Sequence, residues 1–381
     1  MREVVIVAAK RTPMAEYGGA LRDRTALELG AIAAEAAIAQ SGIEPAKFDH
    51  SIFGNALQTS GDALYGARHV ALKAGLPLEV PALTVNRLCG SGIQSIISAA
   101  QLIELEEAAV VLAGGMESMS QAPHVIRGAR WGFKLGQGKL EDSLMVALFD
   151  PYCGCHMAGT AENLARKYGI TREAQDQFAV RSQKLAAAAW QAGRFNEEVT
   201  PVEKFAQDDH MRPDTTMETL AKLKPAFSKD GFVTAGNASG IVDGAGAVVV
   251  TSRERAKTAP LGRIVSWGIA GVPPELMGIG PVPAAKIALE KAGLNLSQID
   301  LVEVNEAFAA QYLSVEKALE LDRDRVNVNG GAIALGHPLG ATGTRLIMTI
   351  LYELKRRKKN YGLAAACIGG GQGIAIIVET M

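Results

Sequence analysis

The sequence is poor in the features that mark secreted, membrane-spanning and nucleic-acid-binding proteins. It has four cysteines in 381 residues, too few for a disulfide scaffold. Its uncharged apolar runs are shorter than the roughly 18 residues that a spanning helix needs. Lysine plus arginine total 39 and aspartate plus glutamate total 40, so no overall basic field exists for nucleic acid or an anionic membrane. We therefore expect a cytoplasmic protein with neither nucleic-acid nor membrane partners.

The composition is otherwise typical of a globular protein with closely packed helices and strands. Hydrophobic residues make up 48% and charged residues 21%, close to ordinary globular averages. Glycine is abundant at 41 residues and aromatic residues are few at 5%, which favours close approach of backbones. At roughly 100–200 residues per domain, the length predicts two or three domains.

An internal repeat lies at an offset of 251 residues. At this offset the segment 33–56 overlies 284–307 with six identical residues in 24, and apolar positions pair as well. The same register, without a gap, aligns 86–92 with 337–343. A gapless register that persists over this distance indicates a duplicated architecture.

Each copy alternates helices with short apolar strands, which favours an α/β fold with a parallel sheet covered on both faces. The pattern predicts helices over 25–41, 90–106, 283–292 and 341–356, and strands over 48–54, 109–113, 246–251, 299–304, 363–367 and 373–378. The first copy is interrupted by about 120 residues of different texture, with one clear helix over 171–192. We predict a first half formed by 1–118 and 241–262, an inserted loop domain over 119–240, and a second half over 263–381.

Cys89 is a candidate nucleophile because it precedes a predicted helix. Unpaired N–H groups and the positive end of the helix dipole favour a thiolate there. The small residues that follow, Gly90 to Gly92, would let a carbonyl approach backbone donors. The alternative is a buried structural cysteine, which is the usual environment of a free thiol.

His337 and Cys367 are candidates for proton transfer. His337 lies between a glycine and a proline at the junction that the repeat makes equivalent to that of Cys89, so pseudo-symmetry predicts that the two junctions meet. Cys367 ends an apolar strand and is followed by three glycines, which make room for a ligand and offer N–H groups to an oxyanion. For Cys367 an ordinary strand-end role is the alternative.

Asn305 follows a predicted strand and opens a helix from Ala307, so local sequence alone favours a helix N-cap; its functional alternative holds a water or a carbonyl. Cys153, Cys155 and His156 look like a fragment of a metal site. No second pair supplies the remaining ligands, so no metal is expected.

Four motifs resemble those of the thiolase family, and the resemblance covers nearly the whole chain. They are N-x-L-C-G-S-G at 86–92, N-E-A-F-A-A-Q at 305–311, N-V-N-G-G-A-I-A-L-G-H-P at 327–338 and C-I-G-G-G-Q-G at 367–373. The resemblance implies the thiolase fold, with two pseudo-symmetric α/β/α/β/α halves of five strands each and a loop domain inserted in the first half.

The resemblance also assigns catalytic roles. Cys89 would carry the acyl group as a thioester, His337 would activate it, and Cys367 would move the proton of the acetyl-CoA methyl group. Asn305 would hold a water that forms one oxyanion hole with His337, and the N–H groups of Cys89 and Gly369 would form the other. The implied reaction is the condensation of acetyl-CoA with an acyl-CoA, or its reverse, thiolysis of a 3-oxoacyl-CoA. Coenzyme A and acetyl-CoA are substrates, and no cofactor is implied.

Coenzyme A binding is implied mainly for the inserted domain. The residues matched to pantetheine and adenine contacts are His156, Met157, Leu223, Ala226, Phe227 and Ser239. Met277 and Phe308 would flank the acyl end, and their motifs are similar to those of short-chain acetyl-CoA acetyltransferases. Arg212 is a candidate for the phosphates.

Two other functions share the expected fold. A decarboxylating ketoacyl synthase uses two histidines, where this chain has Asn305 and Cys367. A non-catalytic lipid-binding protein of thiolase type would lack one of the three reactive residues, all of which are present. The apolar and basic segment 125–145 resembles the family's tetramerisation loop, so we expect a homotetramer built as a dimer of dimers.

Overall fold

A computed structural model describes residues 2–381, which form a mixed α/β protein. Its strands are β1 Val4–Arg11, β2 Ala15–Glu16, β3 His50–Gly54, β4 Ala82–Val85, β5 Val110–Glu117, β6 His124–Ile126, β7 Leu140–Asp142, β8 Phe149–Asp150, β9 Cys155–His156, β10 Val242–Ser252, β11 Gly262–Gly271, β12 Leu301–Val304, β13 Tyr361–Ile368 and β14 Gln372–Glu379. Its α-helices are α1 Ala26–Ser41, α2 Gly66–Lys73, α3 Ser91–Glu104, α4 Ser143–Ala147, α5 Met157–Tyr168, α6 Arg172–Gln191, α7 Met217–Ala221, α8 Pro281–Ala292, α9 Ala309–Leu319, α10 Ala332–Leu335 and α11 Leu339–Arg357.

One large sheet joins the two halves of the molecule. Its strand order is β4-β3-β5-β10-β1-β11-β14-β13-β12, and β2 pairs with β10 outside this path. The halves meet where β1 pairs with β11, through Val5 with Arg263 and Ile6 with Gly262. The second half has four strands in the ordered path, and the counterpart of β4 is reduced to a single bridge between Val302 and Val326.

The sheet is mixed, so the prediction of a parallel sheet is wrong in part. β3 runs parallel to both β4 and β5, and β12 runs parallel to β13. However, β10 is antiparallel to β5, and β14 is antiparallel to β13. The three-glycine turn 369–371 explains the second case, because a connection this short can only join antiparallel strands.

Helices form three layers around the two halves of the sheet. Apolar side chains of α1 and α2 pack on the outer face of the first half, and those of α8 and α9 pack on the outer face of the second. Between the halves lie α3 and α11, whose side chains share one core with both. Helix α11 is buried along most of its length, as a helix in a central layer must be.

The duplication is visible as reciprocal contacts between α3 and α11. A Cβ atom on Gly92 would lie 2.5 Å from the Thr344 nitrogen, and one on Gly343 would lie 2.4 Å from the Ile93 nitrogen. The 251-residue offset converts each of these contacts into the other, as a two-fold axis between the two copies requires. Glycine is required on both helices because their backbones touch at this crossing.

The inserted region contains more structure than the sequence indicates. Besides α6, which matches the predicted helix over 171–192, it holds α4, α5, α7 and the small hairpins β6–β7 and β8–β9. Helix α5 begins at a His156 N-cap and ends at Gly169 in the left-handed conformation. Within the described residues no helix has both the length and the apolar character needed to cross a bilayer.

Gly343→Ala should destabilise the fold, because the added methyl group would collide with the backbone of α3. Overpacking of this kind costs roughly 1–3 kcal/mol of unfolding free energy. Gly159→Ala is the matched control, since Gly159 also lies in a helix but no atom stands within 4 Å of the position that its Cβ would take. That control should stabilise by about 0.5–1 kcal/mol. Urea titrations at one protein concentration measure the unfolding free energies of both variants. Equal changes in the two variants would contradict the close crossing of α3 and α11.

Candidate active site

Cys89 lies in a short turn, residues 88–90, that leads into α3. Leu88 adopts a φ of +46°, a left-handed conformation that costs a non-glycine residue about 1–3 kcal/mol. Two hydrogen bonds hold it there: the Leu88 N–H donates to Asn86 Oδ1 at 2.9 Å, and Ser91 Oγ donates to the Leu88 carbonyl at 2.7 Å. The turn that presents the thiol is therefore fixed before any ligand binds.

The environment of Cys89 favours the thiol over the thiolate. Burial, with a smaller contribution from the Glu117 carboxylate, raises the pKa of Cys89 to about 11. The N–H groups of Gly369 and Cys89 face the sulfur and act in the opposite direction, but burial outweighs them. In this setting the desolvation of the thiolate opposes the helix N-terminus, on which the expectation of a thiolate rested.

His337 is buried in the second half, two residues before Leu339, which packs against Cys89. Its backbone N–H donates to the Gly240 carbonyl at 2.9 Å, and its Nδ1 lies 2.6 Å from Thr342 Oγ1. Burial, together with the Arg345 guanidinium, lowers the pKa of His337 to about 3. The ring is therefore neutral at physiological pH.

The hydrogen-bond network assigns the tautomer of His337. Thr342 Oγ1 donates to the Pro338 carbonyl one turn back at 3.0 Å, so it accepts from Nδ1–H. Nε2 then carries the lone pair, which the Asn305 side-chain amide meets at 3.3 Å. A neutral imidazole with an unprotonated Nε2 is the form that can accept a proton from a thiol.

Cys367 is fully buried at the end of β13 and faces an apolar cluster. The cluster contains Met277 and Ala307, with Met157 and Phe308 packed against it. Burial raises the pKa of the Cys367 thiol, and the neighbouring Cys89 raises it further. The residues that follow the two cysteines also approach each other, since a Cβ on Gly90 would stand 2.6 Å from the side chain of Ile368.

Asn305 does not cap a helix, contrary to the local prediction. Helix α9 begins at Ala309 and its N-cap is Phe308. The Asn305 backbone N–H donates to the Ala365 carbonyl at 2.9 Å, and its side chain points to His337. Its Oδ1 is buried and has no hydrogen-bond partner among the described residues. Structure thus favours the functional alternative, because the side chain is committed to the site.

Residues 4–254 match the family model described as the thiolase N-terminal domain, and residues 258–380 match the thiolase C-terminal domain. The chain belongs to the thiolase family. Human mitochondrial 3-ketoacyl-CoA thiolase is 54% identical over 392 residues, which cover 100% of this chain and 99% of that protein. An acetyl-CoA acetyltransferase of Cupriavidus necator is 50% identical over 392 residues and is covered completely, as is this chain.

The fold agrees with that of solved thiolases. The crystal structure of the human mitochondrial enzyme in complex with CoA superposes with a TM-score of 0.98 at 55% identity, covering 100% of this chain and 98% of that one. The expected thiolase fold and the expectation of an acyltransferase are confirmed. The matches to both thiolase domains also favour this family over the ketoacyl synthase and the non-catalytic alternatives.

The expectation of a cytoplasmic protein is contradicted. Thiolases from Homo sapiens, Pongo abelii and Bos taurus, which are 54%, 54% and 52% identical to this chain, are named mitochondrial. The expectation rested on sparse cysteines and balanced charge. Those features report reduced thiols and ordinary solubility, which do not distinguish one reducing compartment from another.

Glu117 belongs to the site although no motif in the sequence points to it. It ends β5 beside the Cys89 turn, is fully buried, and accepts four hydrogen bonds. The donors are Asn55 Nδ2 at 2.8 Å, the Ala56 N–H at 3.1 Å, the Leu57 N–H at 2.9 Å and the Gly340 N–H at 2.8 Å. Burial raises its pKa to about 7. This carboxylate joins the start of α11 to the first half, and so fixes the His337 segment against Cys89.

A cavity of about 220 Å³ opens beside Cys89. It is lined by Leu88, Cys89, Ala147, Leu148, Phe149, Asp150, Pro151, Met157, Leu339, Gly369 and Gly370. Of the residues matched to coenzyme A contacts, Met157 lies in this wall. The His156 ring stacks on Phe227 with centroids 4.8 Å apart, and the Ser239 N–H donates to the Ala307 carbonyl at 3.0 Å, next to Phe308.

The remaining matched residues lie farther along the inserted region. Leu223 and Phe227 are exposed, and the Ala226 N–H donates to the Val233 carbonyl at 3.0 Å. Arg212 donates to Glu16 Oε1 at 2.8 Å, so its guanidinium already has a carboxylate partner. Across residues 2–381 no group of three or more potential ligands is arranged to hold a metal ion.

Thr342→Val should lower kcat, because it leaves the His337 Nδ1–H without an acceptor and frees the ring to reorient. Loss of one buried hydrogen bond is worth about 1–3 kcal/mol, or roughly 5- to 150-fold in rate. Thr344→Val is the matched control on the same helix, since Thr344 Oγ1 is buried and has no partner among the described residues. Steady-state kinetics of acetoacetyl-CoA thiolysis give kcat for both variants, and equal kcat values would refute the role of Thr342.

Proposed function

We propose that the protein catalyses reversible acyl transfer between coenzyme A thioesters through an acyl-enzyme on Cys89. Its substrates would be a 3-oxoacyl-CoA and coenzyme A in thiolysis, or acetyl-CoA and an acyl-CoA in condensation. The observation that carries the proposal is that the Cys89 and Cys367 thiols are neighbours, while Leu339, two residues after the neutral His337, packs against Cys89. Both relatives named above support this reaction class by their names, as 3-ketoacyl-CoA thiolase and acetyl-CoA acetyltransferase.

The resting protonation states fit the first half of thiolysis. The Cys89 proton passes to His337 Nε2 as the sulfur attacks the 3-oxo carbon, and the bond between carbons 2 and 3 then breaks. Cys367 donates its proton to carbon 2, which releases acetyl-CoA and leaves a thiolate at Cys367. A buried thiol of raised pKa suits this step, because the carbon that it protonates is itself a very weak acid.

The second half of the reaction returns Cys367 and His337 to their resting protonation states. The thiol of coenzyme A gives its proton to the Cys367 thiolate and attacks the Cys89 thioester. Cys89 leaves as a thiolate and regains the proton held by His337. Condensation follows the same steps in reverse, so the same residues serve both directions.

Negative charge develops on a carbonyl oxygen in both halves of the reaction, and two sets of hydrogen-bond donors are available to stabilise it. The Cys89 and Gly369 N–H groups face the position of the sulfur and suit the oxygen of the acyl-enzyme. On the other side, Asn305 and His337 would stabilise the enolate oxygen of acetyl-CoA, with a water held by the unpartnered Asn305 Oδ1. Residues of the inserted region, including His156, Met157, Phe227 and Ser239, would hold the pantetheine, with Arg212 toward the phosphates.

We also propose a homotetramer, with the domain division 1–118 with 241–262, 119–240, and 263–381. The segment 125–145 supports the tetramer because it leaves large apolar side chains in solvent. Trp131 is 87% exposed, and Ile126, Phe133, Leu135 and Leu140 are exposed as well. An exposed apolar set of this size is typical of an interface between subunits.

Cys367→Ala should separate the two halves of the reaction. The variant should still form the acyl-enzyme from acetyl-CoA, because Cys89 and His337 remain and coenzyme A can leave as a thiolate that takes its proton from water. It should lose exchange of the acetyl-CoA methyl protons with D2O by roughly 10²- to 10⁴-fold, the usual contribution of one positioned acid or base. Proton NMR measures the exchange, and mass spectrometry measures the adduct.

Cys153→Ala, which removes a thiol outside the centre, is the control and should keep both activities. If Cys367→Ala abolished acylation while methyl exchange persisted, the roles of the two cysteines would be reversed. If it affected neither, Cys367 would be a structural residue and the proposed mechanism would lack its second acid.

A further inference from the structure

Two cysteines outside the reaction centre lie on a hairpin that forms part of the wall of the Cys89 cavity. Strands β8 and β9 pair Phe149 with His156 and Asp150 with Cys155. Phe149, Asp150 and the following Pro151 line the cavity, but Cys153 and Cys155 do not. The proposed reaction gives neither thiol a role.

The turn of this hairpin is fixed in a conformation that brings the two cysteines together. The Gly154 N–H donates to the Asp150 carbonyl at 2.9 Å, and the Tyr152 N–H donates to Asp150 Oδ1 at 2.8 Å. Gly154 has a φ of +69°, a left-handed conformation that a glycine between two cysteines adopts without strain. The chain therefore reverses between Cys153 and Cys155.

The two cysteines are in contact through the Cys155 thiol. Cys155 Sγ donates to the Cys153 carbonyl at 3.6 Å. Burial raises the pKa of the Cys153 thiol, and the neighbouring Cys155 thiol raises it further. Rotation about the side-chain bonds of the two cysteines would bring their sulfurs to bonding distance.

Their exposure sets this pair apart from Cys367. Cys153 and Cys155 are both partly exposed, whereas Cys367 is fully buried. Accessibility to a small oxidant and a second thiol nearby are two of the conditions for reversible thiol oxidation.

We propose that Cys153 and Cys155 form a redox-active dithiol that closes to an intramolecular disulfide on reaction with a hydroperoxide. One thiol loses its proton and its sulfur attacks the peroxide, so that a sulfur–oxygen bond forms, the oxygen–oxygen bond breaks and the departing oxygen takes that proton and leaves as water or an alcohol. The second thiol loses its proton and its sulfur attacks the resulting sulfenic acid, so that the sulfur–sulfur bond forms, the sulfur–oxygen bond breaks and the hydroxyl group leaves with that proton as water. The sulfurs lose two electrons, and their two protons leave with the reduced oxygens.

Because only one residue separates the two cysteines, their disulfide would close a small and strained ring. Strained and exposed disulfides have higher reduction potentials than structural ones and are reduced easily by thiols. The pair is therefore expected to oxidise under peroxide and to return to two thiols when a reductant is restored.

Peptide mapping of the full-length protein tests the proposal. Trypsin cleaves after Lys139 and Arg166, so residues 140–166 form one peptide that contains both cysteines and no other. After dilute hydrogen peroxide and alkylation of free thiols with iodoacetamide, this peptide should be about 2 Da lighter than its reduced form and carry no alkyl group. Dithiothreitol before alkylation should restore two alkylated cysteines.

Three variants complete the test. Cys153→Ser and Cys155→Ser should each abolish the lighter peptide, whereas Cys89→Ser should still form it, since the hairpin pair needs no active nucleophile. Two alkylated cysteines in the peroxide-treated wild type would overturn the proposal. So would a disulfide that joins this peptide to another peptide or another chain.

Discussion

The close approach of α3 and α11 is the constraint on which the rest of the molecule depends. Each helix follows a turn that carries chemistry, Cys89 before α3 and His337 before α11. The helices cross where Gly92 and Gly343 replace side chains with backbone contact. Because the crossing is shared by both halves, it places the two turns at one point although they are 248 residues apart in the chain. The large sheet supports this crossing and contributes Cys367 from the end of β13 and Glu117 from the end of β5.

Burial at this crossing then determines the protonation of the reacting groups. The same loss of water raises the pKa of both thiols and lowers that of His337, so all three groups rest neutral. A neutral set avoids the cost of an ion pair in a dry site. Charge arises only when a thioester is present, and at that moment the N–H groups of Cys89 and Gly369 and the Asn305 amide are already in position.

Much of the fold is predictable because the sequence repeats itself. The sequence predicts α11 over 341–356 and the helix spans 339–357; it predicts the final strand over 373–378 and the strand spans 372–379. Strand direction is harder to predict, since period and apolar content are alike in parallel and antiparallel strands. Helix α5 is not evident from the sequence because its apolar positions pack against the inserted loop and α9, contacts that lie far apart in the chain.

The site is predictable in its residue types and not in its energetics. Motifs identify Cys89, His337 and Cys367, but a helix start alone suggests a thiolate at Cys89, and only the three-dimensional burial shows the opposite. Thr342 and Glu117 act by holding other residues of the site in place. Their positions in the sequence, relative to the residues that they hold, follow no helix or strand period that would predict these contacts. Asn305 is ambiguous between a cap and a site residue until its contact with His337 is known.

The pH dependence of Cys89 alkylation tests the central claim most directly, because that claim is a resting thiol beside a neutral imidazole. The rate of reaction with iodoacetamide, followed by mass at the peptide that contains Cys89, reports the thiolate fraction. A Cys89 pKa of about 11 predicts a rate that rises continuously from pH 6 to pH 10 without a plateau. A plateau reached below pH 7 would reveal a resting thiolate paired with a protonated His337 and would contradict the account.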